Sequence, residues 1–119
     1  MVEHFDGVQW ANNGPGVITR TLKKICNTND NLEMVGGSCR GFQVLAQNCC
    51  FAIEYPEHKK FFEEEYLIEV MDKINDSLIV HIWNKLSEST KLSVNTSVAY
   101  IRLAKQYCPK VIEACGEYF

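Results

Sequence analysis

The chain has 119 residues, of which 46% are hydrophobic and 23% are charged, and its formal net charge is −3 at pH 7. This size and composition are typical of one modest globular domain with a core of its own. The acidic balance excludes a nucleic-acid binder that depends on a basic surface, and no apolar run approaches the ~20 residues of a membrane span. Since the first residues also lack signal-peptide character, the sequence indicates a soluble chain or a piece of a longer one.

Six cysteines are more than a cytosolic domain of this size usually carries. No two of them have the C-x-x-C spacing of a zinc site, and the adjacent Cys49 and Cys50 are poor partners for each other. Either the six form one or more disulfides, or several are buried thiols that act as small hydrophobes. The glycosylation sequons Asn75-Asp76-Ser77 and Asn95-Thr96-Ser97 favour disulfides, because sequons are read in secreted proteins.

The first predicted helix follows a turn. Residues 12–16 read Asn-Asn-Gly-Pro-Gly, and Pro15 suits the first position of a helix. A helix is predicted from Gly16 until the Asn-rich residues 27–31 end it. Its apolar stripe consists of Ile18, Leu22 and Ile25. The loop before the helix either caps it or binds an anion through free N–H groups at the helix N-terminus.

The middle of the chain predicts a short strand and a second helix. Residues 32–48 form a weakly patterned connection, and Cys50–Ile53 is a candidate strand. A helix is predicted to begin at Pro56. Its apolar stripe consists of Phe62, Leu67, Val70, Met71 and Ile74. The three carboxylates of Glu63–Glu65 either bind a metal or form a solvated face, and the pattern favours the solvated face.

The most unusual stretch is Leu78–Lys85, which reads LIVHIWNK. Period-2 alternation places apolar side chains on both faces of Leu78–Ile82, and this predicts a central strand that is covered on both sides. Burying a polar ring without a partner costs roughly 1–3 kcal/mol. The imidazole of His81 within this strand is therefore expected to bind something.

A third helix is predicted over about Ser93–Tyr107, and Pro109 should stop it. The face of this helix consists of Val94, Val98, Ile101, Ala104 and Cys108. A short last helix is predicted from Lys110 to about Cys115. The fold class is thus α/β, with three or four helices and two or three short strands, and so few strands for so many helices indicate part of a larger sheet.

Short motifs along the chain form an ordered set. They are Trp10 with Asn13-Gly14-Pro15, Thr19-Arg20, Lys23-Lys24-Ile25-Cys26, Cys39-Arg40-Gly41, Lys59-Lys60-Phe61-Phe62, Val80 to Lys85, and Tyr107-Cys108-Pro109. The set resembles the C-terminal half of the family of lactosylceramide 4-α-galactosyltransferases and α-1,4-N-acetylglucosaminyltransferases. The chain departs from the family at Cys50–Ile53, where the proline of an aromatic-aromatic-proline-isoleucine element is missing.

The resemblance implies the C-terminal lobe of a GT-A type fold in a retaining hexosyltransferase of the Golgi lumen. The implied reaction moves galactose or N-acetylglucosamine from a UDP-sugar to a glycolipid or glycan hydroxyl, in α-1,4 linkage. Such enzymes hold a divalent metal, usually manganese, between an Asp-x-Asp motif and the diphosphate, where it acts as a Lewis acid. This chain contains no Asp-x-Asp. The resemblance therefore implies a partial domain over residues 1–119 that is inactive alone, with membrane association through an upstream segment.

The same resemblance assigns roles to single residues. His81 is the expected metal ligand, because imidazole suits manganese beside carboxylate and phosphate oxygens. Trp83 and Asn84 are expected to shape the donor or acceptor pocket. The loop Asn13-Gly14-Pro15 is expected to line its sugar side. Lys85 either contacts the diphosphate or is a surface lysine.

The family's cysteine positions imply a disulfide between Cys26 and Cys39, although Cys108 is an equally family-like partner for either. Two other classes of function stay open. One is a catalytically inactive remnant that acts as a glycan- or partner-binding module. The other is a small secreted disulfide domain unrelated to sugar transfer, for which the order of the motifs would be a coincidence. An upstream reading frame that encodes an Asp-x-Asp lobe would distinguish the enzyme from the remnant.

Overall fold

A computed structural model of the chain describes residues 5–9 and 11–119. Trp10, one member of the motif set, lies outside the described residues. The chain divides into two compact units, which are Met1–Ala46 and Gln47–Phe119.

The α-helix of the first unit, α1, spans Pro15–Cys26. Pro15 lies in its first turn, where a missing N–H is tolerated. Asn27 ends the helix in the left-handed region, with φ 53°, and donates its N–H to the Lys23 carbonyl. The predicted helix between the turn and the Asn-rich segment is confirmed. Its apolar stripe is less buried than expected, because Ile18 is 63% exposed and no residue of α1 is buried.

Two short antiparallel strands follow a 3-10 helix at Leu32–Met34. They are β1 (Ser38–Cys39) and β2 (Phe42–Gln43), within the stretch for which the sequence predicts only a connection. The register pairs Ser38 with Gln43 and Cys39 with Phe42. Arg40 and Gly41 between the strands have φ of 48° and 86°, and two positive values are what a tight two-residue hairpin turn requires. Strands of two residues are too short to show a period in the sequence.

A disulfide between Cys26 and Cys39 ties the end of α1 to β1. Cys108, the other family-like candidate, is a free and exposed thiol. Among the described residues of this unit only Met34 is buried, so burial of apolar surface contributes little there. Closing a loop with a separation of 13 residues removes roughly 3 kcal/mol of unfolded-state entropy. The disulfide is therefore a major source of order in the first unit.

The second unit is built from short helices. Its α-helices are α2 (Leu67–Ile74), α3 (Asn84–Ser87), α4 (Ala99–Tyr107) and α5 (Pro109–Ala114). Its 3-10 helices are Gln47–Cys49, Tyr55–Phe62 and Glu64–Tyr66. The described residues thus form a mainly helical structure with one two-stranded sheet, which agrees with the α/β class and has more helices than the three or four predicted. None of these helices is long and apolar enough to cross a membrane.

The core of the second unit consists of two clusters. The first contains Ile53, Phe61, Val70, Ile74 and Ala99, and the second contains Leu92, Val98 and Ile101. Burial of Val70 and Ile74 is as predicted, but the fully buried phenylalanine is Phe61, while Phe62 is half-buried. The reason is that the chain is extended at Glu63, between a 3-10 helix and the next turn. A single α-helical period therefore does not run from Pro56 into α2.

The predicted strands at Cys50–Ile53 and Leu78–Ile82 are wrong, because neither segment forms a strand. Three backbone N–H groups of the second segment donate to the carbonyls of residues 49–50. A strand needs a partner along its whole length, and the described residues give this segment no partner strand. Leu78 and Ile79 are consequently 70% and 63% exposed instead of buried on two faces.

The helix α4 begins at Ala99, not at Ser93 as predicted. The residues before it pair with the end of the chain, since Leu92 and Phe119 exchange backbone hydrogen bonds of 3.4 and 2.8 Å. Those backbone groups are then not available for a helix. Pro109 separates α4 from α5, as the sequence predicts, and occupies the first position of α5.

Four charged residues connect the long 3-10 helix to α2. The Lys60 Nζ lies 2.6 Å from Glu57 Oε1 and 2.8 Å from Glu69 Oε1, and the Lys73 Nζ lies 2.8 Å from Glu69 Oε1. Hydrogen bonds from Lys60 and Lys73 lower the pKa of Glu69 to about 2. A hydrogen bond from Lys60 also lowers the pKa of Glu57. The side chains of both carboxylates are 39% exposed, so water screens the ion pairs and the network contributes modestly to stability.

Replacing Phe61 by Ala should lower the free energy of unfolding by about 3–5 kcal/mol, because a ring that is 0% exposed leaves a cavity. Urea denaturation followed by circular dichroism measures the loss. Ile68→Ala on α2 is the matched control: its side chain is 75% exposed, and the expected change is within about 0.5 kcal/mol. Equal losses in the two variants would contradict this placement of the core.

Acidification should remove the stabilisation that the charged network provides. The pKa of Glu69 is about 2 in the fold and 4.5 normally, so the folded state favours the charged form and this contribution is complete above pH 4.5. It is lost as the pH falls from 4.5 towards 2. Melting temperatures should therefore decline less steeply over this window in Glu69→Gln than in the parent chain. Glu63→Gln, at an exposed carboxylate outside the ion pairs of the described chain, should keep the parent's slope.

Candidate functional site

Trp83 has φ 53° and ψ 39°, in the left-handed region. A bulky residue is uncommon there, and such a conformation costs roughly 1–3 kcal/mol. Two hydrogen bonds hold it. The indole Nε1–H donates to the Ile53 carbonyl at 3.0 Å, and the backbone N–H donates to His81 Nδ1 at 3.2 Å. This turn ends the irregular segment 78–82 and allows α3 to begin at Asn84.

Four aromatic rings meet around this turn, and they are called the aromatic cluster here: Phe51, Tyr55, His81 and Trp83. Ring centroids lie 4.4 Å apart for His81–Trp83, 5.2 Å for Phe51–His81, 5.7 Å for Tyr55–Trp83 and 5.8 Å for Phe51–Trp83. These are the spacings of packed aromatic pairs. Tyr55 is 57% exposed and Phe51 is 38% exposed. Both residues are therefore partly accessible to a ligand, and one face of a hexopyranose, with its C–H groups, can pack against an aromatic ring.

His81 is exposed, so the expectation that its ring is buried is wrong. The predicted need for a partner is met by the backbone N–H of Trp83, which donates to Nδ1. Because Nδ1 accepts this bond, the proton of the neutral ring lies on Nε2. A metal at Nε2 would have to displace a proton, and a metal at Nδ1 would have to displace the hydrogen bond to Trp83.

The described residues contain no group of three or more His, Cys, Asp or Glu side chains that could hold a metal, so they do not form a manganese site by themselves. The assignment of His81 as a metal ligand stays a prediction.

Asn84 and Lys85 open α3 directly after the cluster and are exposed. The Lys85 Nζ lies 3.1 Å from both carboxylate oxygens of Glu88. This pair is on the surface, where water screens it, and the ammonium can exchange Glu88 for another anion at little cost. The position of Lys85 is compatible with both of its predicted roles.

The loop before α1 is held by its own side chains. The Asn13 carboxamide donates to the Asp6 carbonyl at 2.8 Å and accepts the Asp6 N–H at 3.3 Å. Arg20 donates to the side chain and to the backbone carbonyl of Asn12, both at 3.0 Å. The hydrogen-bonding groups of the Asn13 side chain are therefore used to hold the loop, and they are not free for a ligand.

The helix N-terminus at this loop does not have the free N–H groups that an anion site needs. The N–H of Gly16 donates to the Ala11 carbonyl at 2.8 Å, and those of Val17 and Ile18 donate to the Gly14 carbonyl at 3.0 and 3.3 Å. Pro15 has no N–H. The loop is thus a cap, and the alternative of an anion site there is wrong.

A cavity of about 590 Å³ lies in the second unit, beside α2, α4 and α5. Its walls include Met71, Leu78, Leu103, Tyr107 and Val111. No sequence pattern predicts this cavity, because the apolar alternation places Leu78 in a covered strand.

The alpha 1,4-glycosyltransferase conserved region matches residues 1–115. The chain belongs to this family. Lactosylceramide 4-alpha-galactosyltransferase of Pongo pygmaeus is 32% identical over 118 residues, which are 99% of this chain and 53% of the relative. The Homo sapiens protein of that name is 31% identical over 118 residues, which are 33% of its length. The alpha-1,4-N-acetylglucosaminyltransferase of Homo sapiens is 26% identical over 111 residues, or 92% of this chain and 32% of the relative.

The chain spans between about a third and about a half of the length of these members of the family. No solved structure matches it. The resemblance predicted from the ordered motifs is confirmed as membership of the alpha 1,4-glycosyltransferase family, and the assignment to a GT-A lobe stays a prediction.

The structure brings two of the residues predicted for the site into direct contact. His81 and Trp83 share a hydrogen bond and packed rings, with Asn84 and Lys85 next in the chain. The Asn13-Gly14-Pro15 loop belongs to the first unit. Sequence reasoning missed Phe51 and Tyr55. For Phe51 there was a signal, because it occupies an aromatic position of the family element that departs at Cys50–Ile53.

Replacing His81 by Ala should loosen Trp83, because its backbone N–H loses its acceptor. The expected cost is about 0.5–1.5 kcal/mol in the free energy of unfolding. Tryptophan emission should change as well, and Trp10→Phe provides a background in which Trp83 is the remaining tryptophan.

The control for this variant is His58→Ala. That imidazole is half-buried, and its contacts are to Tyr55 and not to the Trp83 backbone: its Nδ1 lies 2.8 Å from the Tyr55 carbonyl, and the two rings lie 6.1 Å apart. Its removal should leave the emission of Trp83 almost unchanged. Unchanged emission and stability in His81→Ala would rule out the positioning role.

Proposed function

We propose that the chain is part of a retaining glycosyltransferase that moves galactose or N-acetylglucosamine from a UDP-sugar to a glycolipid or glycan acceptor in α-1,4 linkage. The observation that carries this proposal is the family match over residues 1–115. Relatives named for galactosyl transfer and for N-acetylglucosaminyl transfer both align along nearly the whole chain. They share an α-1,4 product, so the proposal leaves the choice of sugar open.

The aromatic cluster supports a role in holding a sugar. Trp83 is fixed on its polar edge by the bond to Ile53, so little rotamer entropy is lost when a ligand packs on the cluster. The exposed Asn84 carboxamide supplies a donor and an acceptor for hydroxyl groups. Lys85 supplies a cation for the diphosphate of the donor. A role on the sugar side is also proposed for the loop Asn13-Gly14-Pro15 of the first unit, as the family resemblance implies.

The metal requirement of such an enzyme is not met by the described residues. They bring no three metal-binding side chains together, and the sequence contains no Asp-x-Asp. We propose that transfer uses carboxylates of a GT-A type catalytic lobe that lies outside the described residues. A luminal, Golgi-type location is proposed with it, and the Cys26–Cys39 disulfide supports an oxidising compartment.

A second candidate function is a catalytically inactive module that binds glycans or a partner. It is favoured by the combination of an intact aromatic cluster with the lack of a metal-holding group among the described residues. In that case the aromatic cluster still binds a glycan, but no sugar is transferred.

The isolated chain should yield no transfer product above background with manganese, UDP-galactose or UDP-N-acetylglucosamine, and a lactosyl acceptor. The reason is that the diphosphate has no metal bridge without additional carboxylates. A chimera in which this chain replaces the matching third of the Homo sapiens lactosylceramide 4-alpha-galactosyltransferase should transfer galactose. Product formation is measured by mass spectrometry of the acceptor.

Within the chimera, Trp83→Ala should lower kcat/KM about tenfold or more, which corresponds to roughly 1.4 kcal/mol. Tyr118→Ala is the matched control, because this ring is 56% exposed and lies outside the aromatic cluster. Turnover by the isolated chain would show that the metal site is complete within it. A secreted, folded chimera without activity would support the inactive module instead.

A further inference from the structure

The sequon Asn95-Thr96-Ser97 lies in a turn just before α4. Three contacts hold the backbone of this turn. The Asn95 N–H donates to Ser93 Oγ at 3.2 Å. The Thr96 N–H donates to the Ser93 carbonyl at 3.0 Å, and the Ser97 N–H donates to Glu64 Oε1 at 3.1 Å. The turn is therefore anchored at both ends and presents its side chains at a defined place on the surface.

The two groups that make a sequon are both accessible here. Asn95 and Ser97 are exposed. In the part of the chain that the structure describes, neither the Asn95 carboxamide nor the Ser97 hydroxyl has a hydrogen-bond partner. The buried neighbours Leu92 and Val98 belong to the second core cluster. A bulky group on Asn95 thus displaces no core side chain and breaks no hydrogen bond.

We propose that Asn95 is an N-glycosylation site of this protein. The co-substrate is an oligosaccharide carried on a polyprenyl diphosphate, and the catalyst is the oligosaccharyltransferase of the secretory lumen. The bond between sugar C1 and the diphosphate oxygen breaks, and a bond forms between C1 and Asn95 Nδ2. The polyprenyl diphosphate leaves with the electron pair, and the amide proton passes to a base of the transferase.

The second sequon, Asn75-Asp76-Ser77, has the same pattern but a different environment. The Asn75 Nδ2 donates to Asp76 Oδ1 at 3.1 Å, and the Ser77 hydroxyl donates to the Asn48 carbonyl at 3.2 Å. Both sequon groups are thus engaged in the fold, and Ser77 is half-buried. The Asp76 carboxylate also places a negative charge beside the amide that an anionic diphosphate donor must approach. The site is consequently Asn95 and not Asn75.

The modification depends on the luminal location proposed above, so the experiment imposes that location. The whole chain is expressed behind a cleavable signal peptide in eukaryotic cells, as parent, Asn95→Gln, Asn75→Gln, Ser97→Ala and Ser97→Thr. Gel mobility is compared with and without peptide N-glycosidase, and glycopeptides of the parent are assigned by mass spectrometry. Transferase activity is not read out, so an inactive chain does not affect the result.

One glycan should be present on the parent chain and should persist in Asn75→Gln and Ser97→Thr. It should be lost in Asn95→Gln and in Ser97→Ala, which keeps the backbone bond to Glu64. Glycopeptide mapping of the parent decides the site even where a variant is degraded. An unmodified Asn95 in a chain whose Cys26–Cys39 disulfide has formed would overturn the proposal, because that chain has reached the lumen. A glycan found mainly on Asn75 would overturn it as well.

Discussion

The hydrogen bond from the Trp83 indole to the Ile53 carbonyl joins two segments that have no regular secondary structure. Neither segment pairs as a strand, and the backbone bonds between them are limited to those that residues 78–81 donate to the carbonyls of residues 49–50. Ile53 is 1% exposed and belongs to the first core cluster, and its carbonyl is therefore held by the packing of the core. The aromatic cluster takes its arrangement from the core through this bond and through the packing of Trp83 against the first core cluster, since Trp83 contacts each of the other rings in the cluster.

Sequence reasoning succeeded where structure follows from neighbouring residues. Pro15, Asn27 and Pro109 set helix boundaries through fixed φ, a left-handed cap and a missing N–H, and all three act within one turn. It failed for Leu78–Ile82, because a strand is not a local structure and its apolar pattern says nothing about whether a partner is present. The wrong assignment of the buried ring to Phe62 in place of Phe61 has a similar origin. A change from 3-10 to α geometry shifts which face is buried, and composition does not reveal that change.

The candidate site shows the same division. His81 could be singled out because an imidazole within an apolar run needs a partner, and the structure supplies one two residues away. Phe51 and Tyr55 join it only through the fold, since the contact that brings their segment to Trp83 spans 30 residues of sequence. The roles of Lys85 and of the Asn13-Gly14-Pro15 loop came from family resemblance. Among the described residues, both make hydrogen bonds only to residues nearby in the sequence. These contacts define the shape of the loop, but they do not identify a ligand.

The first unit couples its order to the redox state of its surroundings. No side chain of α1 is buried, and Met34 is the one buried residue among those described there. Hydrogen bonds of the loop and a single cross-link between helix and hairpin hold what apolar packing does not. A thiol–disulfide balance poised towards reduction would release that cross-link while leaving every residue of the sequence intact. Whether the hairpin of β1 and β2 stays attached to the end of α1 is thus a property of the compartment as much as of the polypeptide.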